Sequence, residues 1–274
     1  MMERAQANLA FLRSREKAIG LMKSAELEAA VRESLPSLSS PPTPEEAASL
    51  ALSLGADDFP ALCLALSGAV GTESKEELFS LSEGEGGSGP ARIAYLQNAF
   101  SDRAYRRFAS AFSTVAAVYF PGFREVAEEV YSGRATHAIL PTASSADGQI
   151  LSFRRLIGRY DLKITAVCDI PTGDEQTMRF ALLRRGLPSP PPRAACLDLS
   201  AVPTDALPAG ELISVCERMG ASLLSVNSHP SDSEEGRNSL DLILDMQNAD
   251  PFALYLYLEG SHALYVTVGS YDVL

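Results

Sequence analysis

The chain of 274 residues has no tryptophan, three histidines and four cysteines. Cys63, Cys168, Cys196 and Cys216 form no CxxC pair and no cluster with histidine, and each lies in an apolar run. That spacing argues against a zinc site or a disulfide framework and predicts four buried, reduced thiols in a cytoplasmic protein. No metal and no cofactor is expected. Positive charge is also scarce: 23 Lys and Arg stand against 35 Asp and Glu, a net charge of -12. A surface of that sign argues against nucleic acid or an anionic membrane as the main partner. No apolar run is long enough to span a bilayer. The start, Met1 to Gln6, has neither a long apolar core nor a cleavage pattern, so no signal peptide is expected.

What is present is ordinary globular composition, 46% hydrophobic and 21% charged, in a chain long enough for two or three small domains. Two segments punctuate it. Residues 82–90 are glycine-rich and flexible, and residues 187–193 are proline-rich and stiff. They divide the chain into 1–83, 91–186 and 193–274.

The first segment reads as helical. Leu9, Leu12, Ile19 and Met22 recur near helical spacing. Thr43-Pro44-Glu45-Glu46 has the form of a helix start, with Thr as cap, Pro in the first turn and acids at the positive dipole end. A further helix is predicted over Pro60 to Val70. The second segment alternates strands (Ala91–Leu96, Thr114–Phe120, His137–Pro141, Lys163–Asp169, Met178–Leu183) with helices (Asp102–Phe112, Phe123–Tyr131, Gln149–Tyr160). Such alternation predicts a parallel or mixed sheet with helices packed on it. The third segment reads strand 194–201, helix 208–219, strands 221–227 and 239–247, helix 250–259, strand 262–270. That order is βαββαβ, the ferredoxin-like split arrangement.

Several of these residues resemble a known family. Phe123 to Pro141, then Gly148, then Leu156 to Lys163, is similar to the first lobe of prephenate dehydratase, where a helix is followed by Gly-x-Ala-Asp and a strand ending in Leu-Pro-Ile-Glu-Asn-Ser. Phe100-Ser101 resembles the end of the family's Gly-Ser-Phe-Ser loop, and Met178-Arg179-Phe180 falls where the family has Thr-Arg-Phe. The third segment resembles the ACT domain that follows the dehydratase. Gly210 and Leu212 match its Pro-Gly-Ala-Leu turn, Asn227-Ser228-His229-Pro230 its Glu-Ser-Arg-Pro, and Val268-Gly269-Ser270-Tyr271 its closing Leu-Gly-Ser-Tyr. The first segment is similar in place and pattern to the fused chorismate mutase.

The resemblance implies a multidomain α/β and α+β protein: a helical module, a single lobe of periplasmic-binding-protein-like type, and a C-terminal regulatory domain. It implies a homodimer with phenylalanine or a related small molecule at the paired ACT interface, bound near Gly210, Leu212, Asn227, Ser228, His229 and Pro230. It also implies a site built from Ser101, Ser145, Arg179 and Phe180 that converts prephenate to phenylpyruvate, carbon dioxide and water. That site departs from the family pattern. Met178 replaces the threonine hydroxyl, and a thioether donates no proton. Ala143 replaces the glutamate. Ile170 to Gln176 replaces an entire second lobe, which leaves one wall of the cleft missing. The mutase-like segment keeps only Arg13 and Arg15 as candidate cations, and Pro44-Glu45 stands where an Arg-Glu pair belongs. The expectation is a catalytically impaired, ligand-binding relative in phenylalanine biosynthesis; the alternative is an active dehydratase with a rebuilt site. Arg154-Arg155, Arg184-Arg185 and the acidic run 232–235 read as solvated faces, and His137 as a satisfied core or edge histidine.

Overall fold

Strand-forming runs rich in Val, Ile and Ala recur through residues 91–273 and join into one mixed ten-stranded sheet. The computed structural model describes residues 26–27, 29–31, 41–54, 58–79, 90–173, 175–205, 207–230 and 238–274. The periodic stretch Leu9 to Met22, the arginines Arg13 and Arg15, the glycine-rich segment up to residue 89 and the acidic run 232–235 lie outside them.

The strands are β1 (Ala91–Leu96), β2 (Val115–Phe120), β3 (His137–Ser144), β4 (Gly148–Gln149), β5 (Leu162–Gly173), β6 (Gln176–Arg185), β7 (Cys196–Ala201), β8 (Ser222–Pro230), β9 (Asn238–Asp245) and β10 (Tyr265–Val273). Their order is β2-β1-β3-β6-β5-β10-β7-β9-β8, with β4 hooked onto β3. β1 runs parallel to β2 and β3, and β6 lies antiparallel between β3 and β5. The sheet does not stop at the proline-rich segment. β10 pairs in parallel with β5 and antiparallel with β7, so the strands of 91–186 and of 193–274 form one surface.

Helices fall between the strands: α1 (Pro44–Leu54), α2 (Phe59–Ala69), α3 (Thr72–Phe79), α4 (Ala99–Ala109), α5 (Phe123–Tyr131), α6 (Leu151–Arg159), α7 (Ala209–Arg218) and α8 (Pro251–Gly260). The βαββαβ order of the third segment is as read from the sequence. α4 begins three residues earlier than expected. Asn98 Oδ1 accepts from the amides of Phe100 and Ser101, which draws the supposed loop into the helix.

Contacts divide the chain into two units: Met1–Leu78 with Ile213–Gly220 and Asp250–Ala263, and Phe79–Leu212 with Ala221–Ala249 and Leu264–Leu274. In the first, α1 starts on a capping box: the Thr43 amide donates to Glu46 Oε2 at 2.8 Å and the Glu46 amide to Thr43 Oγ1 at 3.3 Å. Ser67, buried on α2, donates to Asp250 Oδ2 at 2.6 Å and accepts from Lys75 Nζ at 2.9 Å. Asp250 also caps α8. In the second unit each sheet face carries its own core. Ile93, Tyr95, Phe108, Cys168, Ile170 and Phe180 pack on the α4 side. Val126, Val130, Ile157, Leu162, Ala181, Leu183 and Tyr271 pack on the α5 and α6 side. All four cysteines are buried free thiols. Burial raises Cys63 and Cys216 to about 12 and Cys168 to about 11, values of unreactive side chains.

Candidate functional site

Strand periodicity separates the residues of the Met178-Arg179-Phe180 run. Phe180 is buried among Ile93, Tyr95 and Phe108, and Met178 packs against the same cluster. Arg179 projects to the other face. There its Nε donates to Asp169 Oδ1 at 2.9 Å and its Nη2 to Oδ2 at 2.8 Å. Hydrogen bonds from Arg179 hold the Asp169 carboxyl below the usual carboxylate range, against an upward push from partial burial. Ala143, Asp169 and Arg179 are register neighbours on β3, β5 and β6.

The two serines have unequal roles. Ser145 follows β3, where its amide donates to the Thr177 carbonyl and its Oγ accepts from the Thr177 amide, both at 2.9 Å. Its hydroxyl therefore ties the loop to β6. Ser101 lies in the first turn of α4, 1% exposed, and its Oγ has no hydrogen-bond partner among the described residues. An orphaned hydroxyl at that depth is costly, because its desolvation is not repaid by a hydrogen bond. The β5–β6 connection is a tight hairpin: Gly173 pairs with Gln176, with Gly173 at φ 115° and Glu175 at φ 62°. Pairing runs from Leu162–Arg185 to that turn, with register irregularities between Ile164 and Ala166 and between Pro171 and Gly173.

The residues matched to the ACT pattern lie elsewhere. Gly210 is exposed in the first turn of α7 and a Cβ there would meet nothing, while Leu212 is buried. Asn227, Ser228, His229 and Pro230 end the edge strand β8. Five strand spacings separate β8 from β6, roughly 24 Å, so this group and Arg179 form two distinct loci.

One charged cluster contradicts the sequence expectation. Arg154 is not solvated: its side chain is 9% exposed, and its Nη1 and Nη2 donate to Asp198 Oδ2 and Oδ1 at 2.7 and 2.8 Å. Asp241 Oδ1 lies 3.0 Å from Nη2, though neither Asp241 oxygen is aligned for a hydrogen bond. His229 Nε2 lies 3.3 Å from Asp241 Oδ2, and its Nδ1 lies 3.1 Å from the Pro230 carbonyl oxygen. Burial opposes the charge on Arg154, but the two aspartates more than offset it and raise its pKa. Burial likewise pushes Asp198 up against the pull of Arg154. The signal was present in the sequence: Asp198 and Asp241 are lone acids inside apolar strands, and Arg154 stands three residues before Ile157 on the inward face of α6.

No protein-family profile and no curated protein matches the chain. Solved structures do. The prephenate dehydratase from Streptococcus mutans aligns at 22% identity and TM-score 0.54, over 67% of this chain and 98% of that one. The fold is prephenate dehydratase-like. The prephenate dehydratase from Arthrobacter aurescens, solved in complex with L-Phe, aligns at 13% identity and TM-score 0.50, over 66% and 90% of the two chains. A protein described as a novel type of quorum quenching acylase aligns at 20% identity and TM-score 0.51, over 67% and 95%. Among the described residues no single helix is long and apolar enough to cross a membrane.

Proposed function

We propose that this protein is a prephenate dehydratase-derived, catalytically impaired ligand-binding protein of aromatic amino acid metabolism. The observation that carries this is the pairing of Arg179 with Asp169, across strands closed into a hairpin. The side chain best suited to hold a substrate carboxylate already holds one, and its neighbour in the run lacks a transferable proton. A hairpin in place of a second lobe offers no opposing wall to exclude water. The C-terminal βαββαβ segment acts in this reading as an ACT-type regulatory domain that pairs with a second copy and binds phenylalanine or a related molecule. A neighbour of the same fold that holds L-Phe supports that ligand class.

An active dehydratase is the second reading, favoured by the Ser101 hydroxyl, buried at the start of α4 and without a hydrogen-bond partner among the described residues. The two readings separate on phenylpyruvate formation from prephenate at neutral pH, measured against a protein-free blank and a complete dehydratase. We expect no formation above the blank. Turnover well above it, abolished by Arg179→Ala, would overturn the impaired reading.

A further inference from the structure

Asp169 and Arg179 stand directly opposite each other on β5 and β6. Their contact has the form in which an arginine receives a carboxylate from a ligand: two nearly parallel hydrogen bonds, 2.9 and 2.8 Å, from Nε and Nη2 to the two carboxylate oxygens. The pair is open to solvent, with side chains 37% and 38% exposed, so small solutes reach it. An ion pair this exposed contributes little to folding stability. On the opposite flank of Arg179 the register neighbour is Ala143, which brings no competing charge. Arg179 Nη1 has no hydrogen-bond partner among the described residues. A carboxylate carried on the adjacent strand is present at a high effective concentration, and a free monocarboxylate at ordinary concentration does not displace it.

We propose that Asp169 is a built-in carboxylate seated in the anion position of Arg179, and that removing its charge opens a binding site for an external carboxylate. The identity of a natural ligand rests on the dehydratase-derived reading above; the masking rests on the pair alone. The seat Asp169 occupies is the Nε/Nη2 edge of Arg179, whose two donors match the two oxygens of a carboxylate. Asp169 is ionised at neutral pH like any carboxylate, and hydrogen bonds from Arg179 lower its pKa further, so the seat stays filled into the acid range.

The test uses phenylpyruvate as probe with the full chain, titrated into wild type, Asp169→Ala, Asp169→Asn and the double variant Asp169→Ala/Arg179→Gln. Binding is followed by calorimetry and by the side-chain Nε–H resonance of Arg179. Asp169→Ala is expected to bind at least tenfold more tightly than wild type and to shift that resonance; the double variant is expected to lose the gain. Should the alanine variant fail to fold, Asp169→Asn keeps the side chain's size and removes its charge, and is expected to show the same gain in smaller degree. Equal affinity in wild type and both single variants, or a gain that survives loss of Arg179, overturns the proposal. Prephenate turnover by wild type is a separate readout. It decides whether the protein is impaired and does not enter this comparison.

Discussion

His137 shows how much one neutral side chain sets the response of the protein to acid. It packs edge-on to Phe112 at 5.0 Å and shares a hydrogen bond with Thr136 Oγ1. Burial first, and then Arg184 across β3–β6, lowers its pKa to about 4. In the unfolded chain the same imidazole titrates near 6.5. Between those values the unfolded state binds a proton that the folded state does not, so stability is intact above pH 6.5 and falls as pH drops toward 4. The full effect is about 3 kcal/mol. Denaturant midpoints at pH 7.5 and 5 should show the loss in wild type and a much smaller one in His137→Gln. Arg154 is the second residue of this kind. Arg154→Met leaves Asp198 and Asp241 buried without a cation, and should cost about 3–5 kcal/mol in urea unfolding. Adding Asp198→Asn should recover part of it. A loss below about 1 kcal/mol would mean that water or His229 already satisfies both acids.

At the scale of elements, local chemistry was legible where it acts over a few residues. The Thr43–Glu46 capping box, the 3.6-residue stripe of α5 and the βαββαβ order of the third segment all announce themselves in the sequence. The candidate site was less legible, and a single extra residue explains part of it. Counting back from the turn where Gly173 meets Gln176 would set Asp169 opposite Phe180. The register irregularity between Pro171 and Gly173 shifts the ladder and sets it opposite Arg179 instead. Without that bulge Arg179 would have no carboxylate beside it. The partner of Arg154 was hidden for another reason. Asp198 and Asp241 sit on strands remote in sequence, and an Arg-Arg pair on a short helix resembles many solvated faces.

On the scale of the whole molecule, the junction of β5 with β10 makes two segments into one sheet, and no local pattern announces a parallel pairing of this kind. Gly269 pairs with Ile164 at this junction. A Cβ there would lie 2.6 Å from Ile164 Cβ and 2.8 Å from the Ile164 carbonyl oxygen. The Gly-Ser-Tyr run read from the sequence as a family resemblance thus has a steric reason in this chain: only glycine lets the two strands approach. Gly269→Ala should cost about 1–3 kcal/mol. It should also split a single thermal transition into two, as strands near residues 91–186 and 193–274 lose their shared edge; one unchanged transition in calorimetry would show that the junction carries no cooperativity.

The same junction sets an order on how the chain acquires its shape. Ile164 and Gly269 are separated by on the order of a hundred residues, a long loop to close before any contact rewards it. β1, β2, β3, β6 and β5 can assemble among themselves first, which leaves β5 as an open edge with unpaired amides and carbonyls. During synthesis that edge waits for a strand not yet made, and the interval before β10 emerges is when a nascent copy is most exposed to pairing with the wrong neighbour.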